Sequence, residues 1–315
     1  MSDKKIRFAV VGAGKLGGFH SRTLSTMPEA ELIGVSDPDK SRADKIAEEY
    51  KCLSFGDMRE LLPLADAFVV AAPTVLHAKI GTELLEAGKH VLVEKPLAST
   101  EEGAARLIGA AKKAGRILQV GHSERFNGAV TETMKYIKDP KFIKIERLGP
   151  FDPRVAGTGV VLDLMIHDLD LALAITGSEP EKIEAAGCKL FSEFEDFCNA
   201  RILFKNGCAA DITASRMSAK PYRAMKVYQK DAYISVDYVA QKLKICKKAC
   251  DKPRNMNDIK ILTPDIQKKE TLREELYHFI DCIKNKRQPV TSGEAGYRAV
   301  RLALAITSRM KRYDL

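Results

Sequence analysis

Nowhere does the 315-residue chain approach the roughly 18 consecutive apolar residues that a membrane-spanning helix needs. Its opening, "MSDKKIRFAVVGAG", runs into a strand pattern without the successive basic, apolar and small-residue regions of a secretory signal. A cytoplasmic location without a membrane partner is the expectation. The seven cysteines include no CxxC spacing and no accompanying histidine pair, and the nearest two, Cys246 and Cys250, lie in "ICKKAC". That distribution predicts reduced packing thiols and no metal centre. The formal net charge is +9, yet Lys and Arg are scattered, and their one concentration, "KLKICKKACDKPR", has no interleaved aromatic residues. Stacking platforms for unpaired bases are therefore missing. This segment reads as a solvated basic edge, nucleic acid is not an expected partner, and an anionic small molecule stays compatible with the charge. Internal repeats and low-complexity segments are also absent.

What is present is an ordinary globular composition, 45% hydrophobic and 30% charged, in a chain long enough for two cores. Up to about residue 122, "IRFAVVGAG", "ELIGVSD", "ADAFVVAAP", "KHVLVEKP" and "RILQVGH" alternate with helical patterns such as "KSRADKIAEEY" and "TEEGAARLIGAAKKAG". Runs apolar on both faces and joined by helices predict a parallel sheet covered on both sides. After residue 140 the segments "KFIKIERL", "KIEAAGCKL", "DFCNARILF", "CAADITASRM", "RAMKVYQK" and "AYISVDY" follow with few helices between them. Their alternation predicts a large, mostly antiparallel sheet open on one face. The fold class is α/β: a dinucleotide-binding domain over 1–122, then a second α/β domain over 123–292 that binds substrate and oligomerises. A last helical pattern follows at 293–315.

"VVGAGKLGG" spaces Gly12, Gly14 and Gly17 as G-x-G-x-x-G between a strand and a helix, and Asp37 follows 20 residues after Gly17 at the end of the second strand. This βαβ context predicts a dinucleotide site. The backbone of Gly12, Ala13, Gly14, Lys15 and Leu16 would cradle a pyrophosphate at a helix N-terminus. Asp37 would accept hydrogen bonds from the adenosine ribose hydroxyls. A 2′-phosphate would meet its negative charge, so NAD is expected over NADP, a preference that nearby Lys40 and Arg42 soften.

In "LDLMIHDLD", Asp163, His167 and Asp170 fall on one face of a helical pattern, while Leu162, Ile166, Leu169 and Leu173 fall on another. The plain alternative is a helix cap at Asp163 and a structural histidine at 167. Lys95 closes a parallel strand at its carboxyl edge, where open α/β sheets bind ligands.

Three segments together resemble the Gfo/Idh/MocA family: "VVGAGKLGGFH", "GKHVLVEKPLA" and "GTGVVLDLMIHDLDLAL". The resemblance implies a Rossmann domain followed by an open-sheet domain, with the 293–315 helix packing back on the first. It also implies that Lys95 faces nicotinamide and substrate, with Glu94 and Pro96 shaping the turn beside the cofactor. Asp163 and His167 would serve as substrate ligand and acid/base. Ala72, Pro73, Thr74 and His77 would line the cofactor. The sequence carries G-T-G at 157–159 where many members have adjacent glycines.

Oxidising a secondary alcohol removes the hydroxyl proton as hydride leaves for nicotinamide. Histidine's ordinary pKa near 6.5 suits His167 as general base. Lys95 would stabilise the developing alkoxide, and Asp163 would hold His167 or a neighbouring hydroxyl. A desolvated Lys95 could be the base instead. Arg125, Phe126 and Asn127 in "HSERFNG", and Arg154 in "RLGPFDPR", are candidate substrate contacts, the arginines suiting an anionic group. The wording of "ERLGPFDPR" resembles family members that act on nucleotide sugars. The expected substrate is therefore a UDP-N-acetylhexosamine oxidised at C3, with a free sugar or inositol as the alternative and a non-catalytic NAD-binding regulator as a further one. An apolar open sheet face would need covering, so a homodimer or homotetramer is expected.

Overall fold

The computed structural model describes residues 5–153 and 157–314, which fall into two units. One comprises the residues up to Ser123 with Thr271–Val300; the other comprises Glu124–Glu270 with the residues from Arg301 on.

In the first unit, β1 (Ile6–Val11), α1 (Lys15–Ser25), β2 (Ala30–Ser36), α2 (Lys40–Tyr50) and β3 (Leu53–Phe55) precede β4 (Ala67–Val70), α3 (Thr74–Glu86), β5 (His90–Glu94), α4 (Glu101–Ala114) and β6 (Leu118–Gly121). The six strands are parallel in the order β3-β2-β1-β4-β5-β6. Consecutive residues of β4 are all buried, as a strand covered on both faces requires. Because β1 lies between β2 and β4, the strand order reverses beside its carboxyl end, where such sheets open a crevice. Local signals agree with the topology in α4: the Thr100 hydroxyl accepts the Gly103 N–H at 3.1 Å, Glu101 and Glu102 occupy the first turn, and Lys112 and Lys113 the last.

A later helix completes this core. α7 (Thr271–Asn285) buries Leu276, Phe279, Ile280 and Cys282 against Phe8, Val10, Leu24 and Leu92, with the Phe8 and Phe279 rings 6.0 Å apart. Each such side chain contributes roughly 1.5–3 kcal/mol on burial, which is why residues 271–300 group here. Residues 271–292, expected in the second domain, group with the first, because nothing local marks which core an amphipathic helix joins.

The second unit holds α5 (Gly128–Thr133), β7 (Pro140–Leu148), α6 (Ile166–Thr176), β8 (Pro180–Lys189), β9 (Phe197–Phe204), β10 (Ala209–Ser215), β11 (Tyr222–Gln229), β12 (Ala232–Asp237), β13 (Lys242–Lys248) and β14 (Ile259–Leu262). The helix α8 (Gly293–Arg309) leads to β15 (Lys311–Asp314). Nine strands run β14-β13-β12-β11-β7-β10-β9-β8-β15, antiparallel except for the β7–β10 and β8–β15 pairs. The expected α/β class, with a parallel sheet and a larger mostly antiparallel one, is what is found. One face carries the core, with Ile143, Ile145, Ala200, Ile202, Ile212, Met225, Val227 and Ile234 buried. On the other, the register aligns Leu203, Ala209, Phe142, Tyr228, Tyr233, Cys246 and Ile261 in one row across seven strands. Leu203, Tyr228 and Ile261 of that row are exposed.

Two local readings need correcting. "KLKICKK" is not merely a solvated edge: it forms β13, burying Leu243 and Ile245 while its lysines alternate outward. The terminal segment is not one helix over 293–315. It stops at Arg309, and residues 311–314 extend the second sheet beside β8, with Met310 seated over Gly187 where a Cβ would meet its sulfur. Apolar helical spacing in "RLALAIT" gave no notice that the chain would leave the helix to satisfy a sheet edge.

Candidate functional site

In the first unit, the turn after β1 opens onto a cavity of about 780 Å³ at the carboxyl ends of the central strands. Gly12, Gly14, Lys15, Leu16, Asp37, Ala72 and Pro73 line it. Gly12 takes φ +102°, and a Cβ there would lie 2.7 Å from the Ala71 carbonyl oxygen. Only glycine meets both conditions without strain. Gly12→Ala should therefore destabilise the chain by about 1–3 kcal/mol and weaken NADH binding, measured by urea unfolding and fluorescence titration. An unchanged midpoint would show that this turn relaxes freely.

Ala13 does not line the cavity, but its N–H donates to the Asp37 carboxylate at 2.8 Å, and the Asp39 N–H donates to the other Asp37 oxygen at 2.9 Å. These contacts fix Asp37 at the cavity wall. Lys40 is engaged by Asp44 at 2.6 Å and Arg42 by Asp39 at 3.1 Å, so both nearby cations already have carboxylate partners. Spacing in the sequence did not reveal Asp57, Arg59, Lys79 and Glu83 as lining residues. They come from separate turns and helices that only the sheet order brings together.

Thr74, His77, Glu94 and Lys95 lie outside that cavity's lining. Thr74 is the first residue of α3. His77 is buried, with Nδ1 2.7 Å from the Pro96 carbonyl oxygen and Nε2 2.7 Å from that of Ala72. Burial holds its pKa below the usual histidine value although both carbonyls favour the charged ring. The ring ties the turn after β4 to the turn after β5. Lys95 is half-buried, its N–H donates to Glu94 at 3.1 Å, and the Lys95–Pro96 peptide is cis.

In the second unit, Asp163 lies in a π-helical turn over Val161–Met165 that runs directly into α6, and His167 is the second residue of α6. Both are half-buried. The turn is anchored by Glu195, whose backbone oxygen accepts the Val160 N–H at 3.0 Å and whose carboxylate accepts the Val161 N–H at 3.3 Å. π-turns often occur at functional sites because they re-aim side chains.

The uniform polar stripe expected from 3.6-residue spacing is corrected here. Asp170 is buried and held by Arg125, with Nε 2.5 Å from one carboxylate oxygen and Nη2 3.0 Å from the other. Asp163 stands half-buried in the wide turn and Asp170 is buried in the α-helix, so the two carboxylates occupy different environments. Arg125 is thus engaged within the second unit. Phe126 is buried, and the buried Asn127 caps α5 through the Ala129 N–H and donates to the Tyr238 carbonyl. Of the three residues expected to contact substrate, Arg125 makes an ion pair, Phe126 is buried and Asn127 caps a helix. Arg154 lies outside the described residues.

Residues 6–122 match the model of an oxidoreductase family with an NAD-binding Rossmann fold, and residues 142–235 match the GFO/IDH/MocA C-terminal domain. The chain is also 33% identical over 306 residues to UDP-N-acetylglucosamine 3-dehydrogenase of Acidithiobacillus ferrooxidans, covering 96% of each sequence. The chain belongs to the GFO/IDH/MocA oxidoreductase family. A solved structure of that Acidithiobacillus ferrooxidans dehydrogenase superposes with a TM-score of 0.92 at 32% identity, covering 97% of both chains. Another relative, scyllo-inositol 2-dehydrogenase (NAD(+)) of Bacillus subtilis, is 29% identical over 315 residues, covering 92% of this chain and 90% of its own. This oxidoreductase therefore carries an NAD-binding Rossmann domain, and the cavity beside Gly12 and Asp37 lies within the matched segment. Among the described residues, no helix is long and apolar enough to cross a membrane.

Proposed function

We propose that this oxidoreductase transfers hydride between NAD and the C3 hydroxyl of a UDP-N-acetylhexosamine. The observation that carries the reading is the near full-length match to a UDP-N-acetylglucosamine 3-dehydrogenase, at 33% identity over 96% of both chains. NAD supplies the hydride acceptor. The protein's part is to hold the pyrophosphate over the Gly12–Leu16 turn, with the positive end of α1 beneath it, and to bind the adenosine ribose through Asp37. Lys95 stabilises the oxygen as charge develops on it, His167 takes the hydroxyl proton, and Asp163 orients His167 or a neighbouring hydroxyl.

The test is NAD reduction measured with UDP-N-acetylglucosamine, UDP-N-acetylgalactosamine, free N-acetylhexosamines and inositols. Turnover that requires the nucleotide supports the reading. Equal turnover of free sugars or inositols favours the second reading, which rests on the scyllo-inositol 2-dehydrogenase relative.

Asp37 sits at the cavity wall, and the cations nearest to it in sequence are occupied by Asp44 and Asp39. NADH should therefore bind more tightly than NADPH by roughly tenfold, about 1.4 kcal/mol, and Asp37→Ala should narrow that ratio. Fluorescence titration with both cofactors decides it, and tighter NADPH binding by the wild type would sink the assignment.

The open face of the nine-stranded sheet supports a homodimer or homotetramer. Its row of Leu203, Phe142, Tyr228, Tyr233 and Ile261 places apolar and aromatic groups at a solvent face, with ring centroids 5.8 Å apart for Phe142–Tyr228 and 5.1 Å for Tyr228–Tyr233. Exposed patches of this kind mark association surfaces.

A further inference from the structure

In the first unit, three buried ionisable side chains from three separate elements meet. His20 of α1 and Glu275 of α7 are fully buried, Glu94 at the end of β5 is 7% exposed, and a ring nitrogen of the histidine and one carboxyl oxygen of each glutamate lie within 4.8 Å of one another. The His20 Nε2 is 2.7 Å from one Glu94 oxygen, and the other Glu94 oxygen accepts the Lys95 N–H at 3.1 Å. From β6, the Gln119 amide donates to the Glu275 backbone oxygen at 3.0 Å. Among the described residues, neither oxygen of the Glu275 carboxyl has a hydrogen-bond partner. Gly121 of β6 makes room for the cluster, since a Cβ there would lie 2.8 Å from the Glu94 carboxylate.

An ionised carboxylate in a dry site with no donor is prohibitively costly, and it neutralises instead. A second negative charge at Glu94 acts in the same direction as burial. Glu94 differs: burial alone would raise its pKa, but His20 and Lys95 reverse this and hold it below the usual glutamate value. One of the two carboxyls thus keeps a proton while the other keeps its charge. A bound cation is the competing arrangement. The 2.7 Å contact between His20 and Glu94 is a direct hydrogen bond, shorter than the roughly 3.3 Å that separates two ligands on one zinc ion.

We propose that Glu275 is a neutral carboxylic acid that donates its proton to Glu94, and that the His20–Glu94–Glu275 chain positions the turn bearing Lys95. The terminal torsion of a glutamate is soft, so the Glu275 O–H turns to Glu94 at little cost, and repulsion between two carboxylates becomes attraction. His20 donates from Nε2 to the same carboxylate. The charged and titratable groups around Glu275 are then His20 from α1 and Glu94 with Lys95 from the end of β5, and the two carboxyls together carry one negative charge next to Lys95 in the chain. The role given to Lys95 rests on the hydride-transfer reading above; the protonation of Glu275 does not.

The first measurement is urea unfolding of the full chain and of Glu275→Gln at intervals across about pH 5–8. A raised pKa means that the folded state keeps a proton which the unfolded chain releases above about pH 4.3, so stability is lost as pH rises. The unfolding constant of the wild type should rise relative to Glu275→Gln by up to about tenfold per pH unit. Parallel pH profiles would overturn the proposal. The second measurement needs no stable variant: the infrared carbonyl stretch of a protonated carboxylic acid should persist in the wild type at neutral pH, and its absence would also overturn the proposal. Stoichiometric metal in the purified protein, lost on chelation together with stability, would establish the cation arrangement instead. In turnover, Glu275→Leu should lower kcat by roughly 10–100-fold, the equivalent of one hydrogen bond to a charged group, and shift its pH profile, while Glu275→Gln restores both. If no sugar is turned over, the hydride-transfer reading fails while the unfolding and infrared results still decide the state of Glu275.

Discussion

His167→Ala is expected to cut turnover of the UDP-sugar by roughly 10²–10⁴-fold, the usual contribution of acid/base catalysis, while NADH affinity stays within experimental error of the wild type. The expectation follows from where the residue stands. His167 is half-buried and belongs to the second unit, whereas the glycine turn and Asp37 belong to the first, so removing the imidazole leaves the Gly12–Asp37 cavity intact. Lys95→Met should lower kcat as well, by removing charge stabilisation at the oxygen that loses its proton. If both groups act on one transition state, the double variant will be far less impaired than the product of the single effects, because residues that act as a unit are not additive. Unchanged turnover in His167→Ala would remove this residue from the acid/base role and leave Lys95 as the base. Single-turnover hydride transfer, followed by nicotinamide absorbance, separates the chemical step from product release.

Arg147→Met should destabilise the protein by about 3–5 kcal/mol, the cost of breaking a buried ion pair. Arg147 is 3% exposed and makes two hydrogen bonds of 2.8 Å to the fully buried Asp168, with a third of 2.7 Å to Glu124. Burial opposes its charge, yet the adjacent Asp168 and Glu124 carboxylates outweigh this and raise its pKa. Removing the guanidinium leaves two carboxyl groups in a site with little access to water. Replacing Asp168 with Leu and Glu124 with Gln in the same chain should recover much of the loss, since an apolar substitute for a whole buried pair is often neutral. Urea midpoints of the single and triple variants check both statements. A change below about 1 kcal/mol in the single variant would mean that solvent reaches the pair, as it does for surface ion pairs. Asp168 follows His167 directly, so this pair also fixes the helix that presents the candidate base.

Much of this could be read from local pattern. Doubly apolar runs and glycine spacing forecast a parallel sheet with a nucleotide turn, because strand burial and positive φ leave signatures within a few residues. "ICKKAC" and the lysines around it concealed a strand, since charge at alternate positions masks a buried Leu243 and Ile245. The division of Asp163 and Asp170 between two environments could not be read at all: ideal helical geometry puts them together, whereas Asp163 stands in a π-turn hydrogen-bonded to Glu195 and Asp170 is held by Arg125.

By itself, the sequence determined the α/β class, the βαβ fingerprint and the chemical types available near it, since each depends on neighbours along the chain. Tertiary structure decided which helix completes the first core, that Arg125 and Asn127 bind protein groups, and that Glu275 lies within 4.8 Å of His20 and Glu94. The physical reason is that burial and charge pairing are set by residues tens to hundreds of positions apart, whose meeting depends on strand order and not on local spacing.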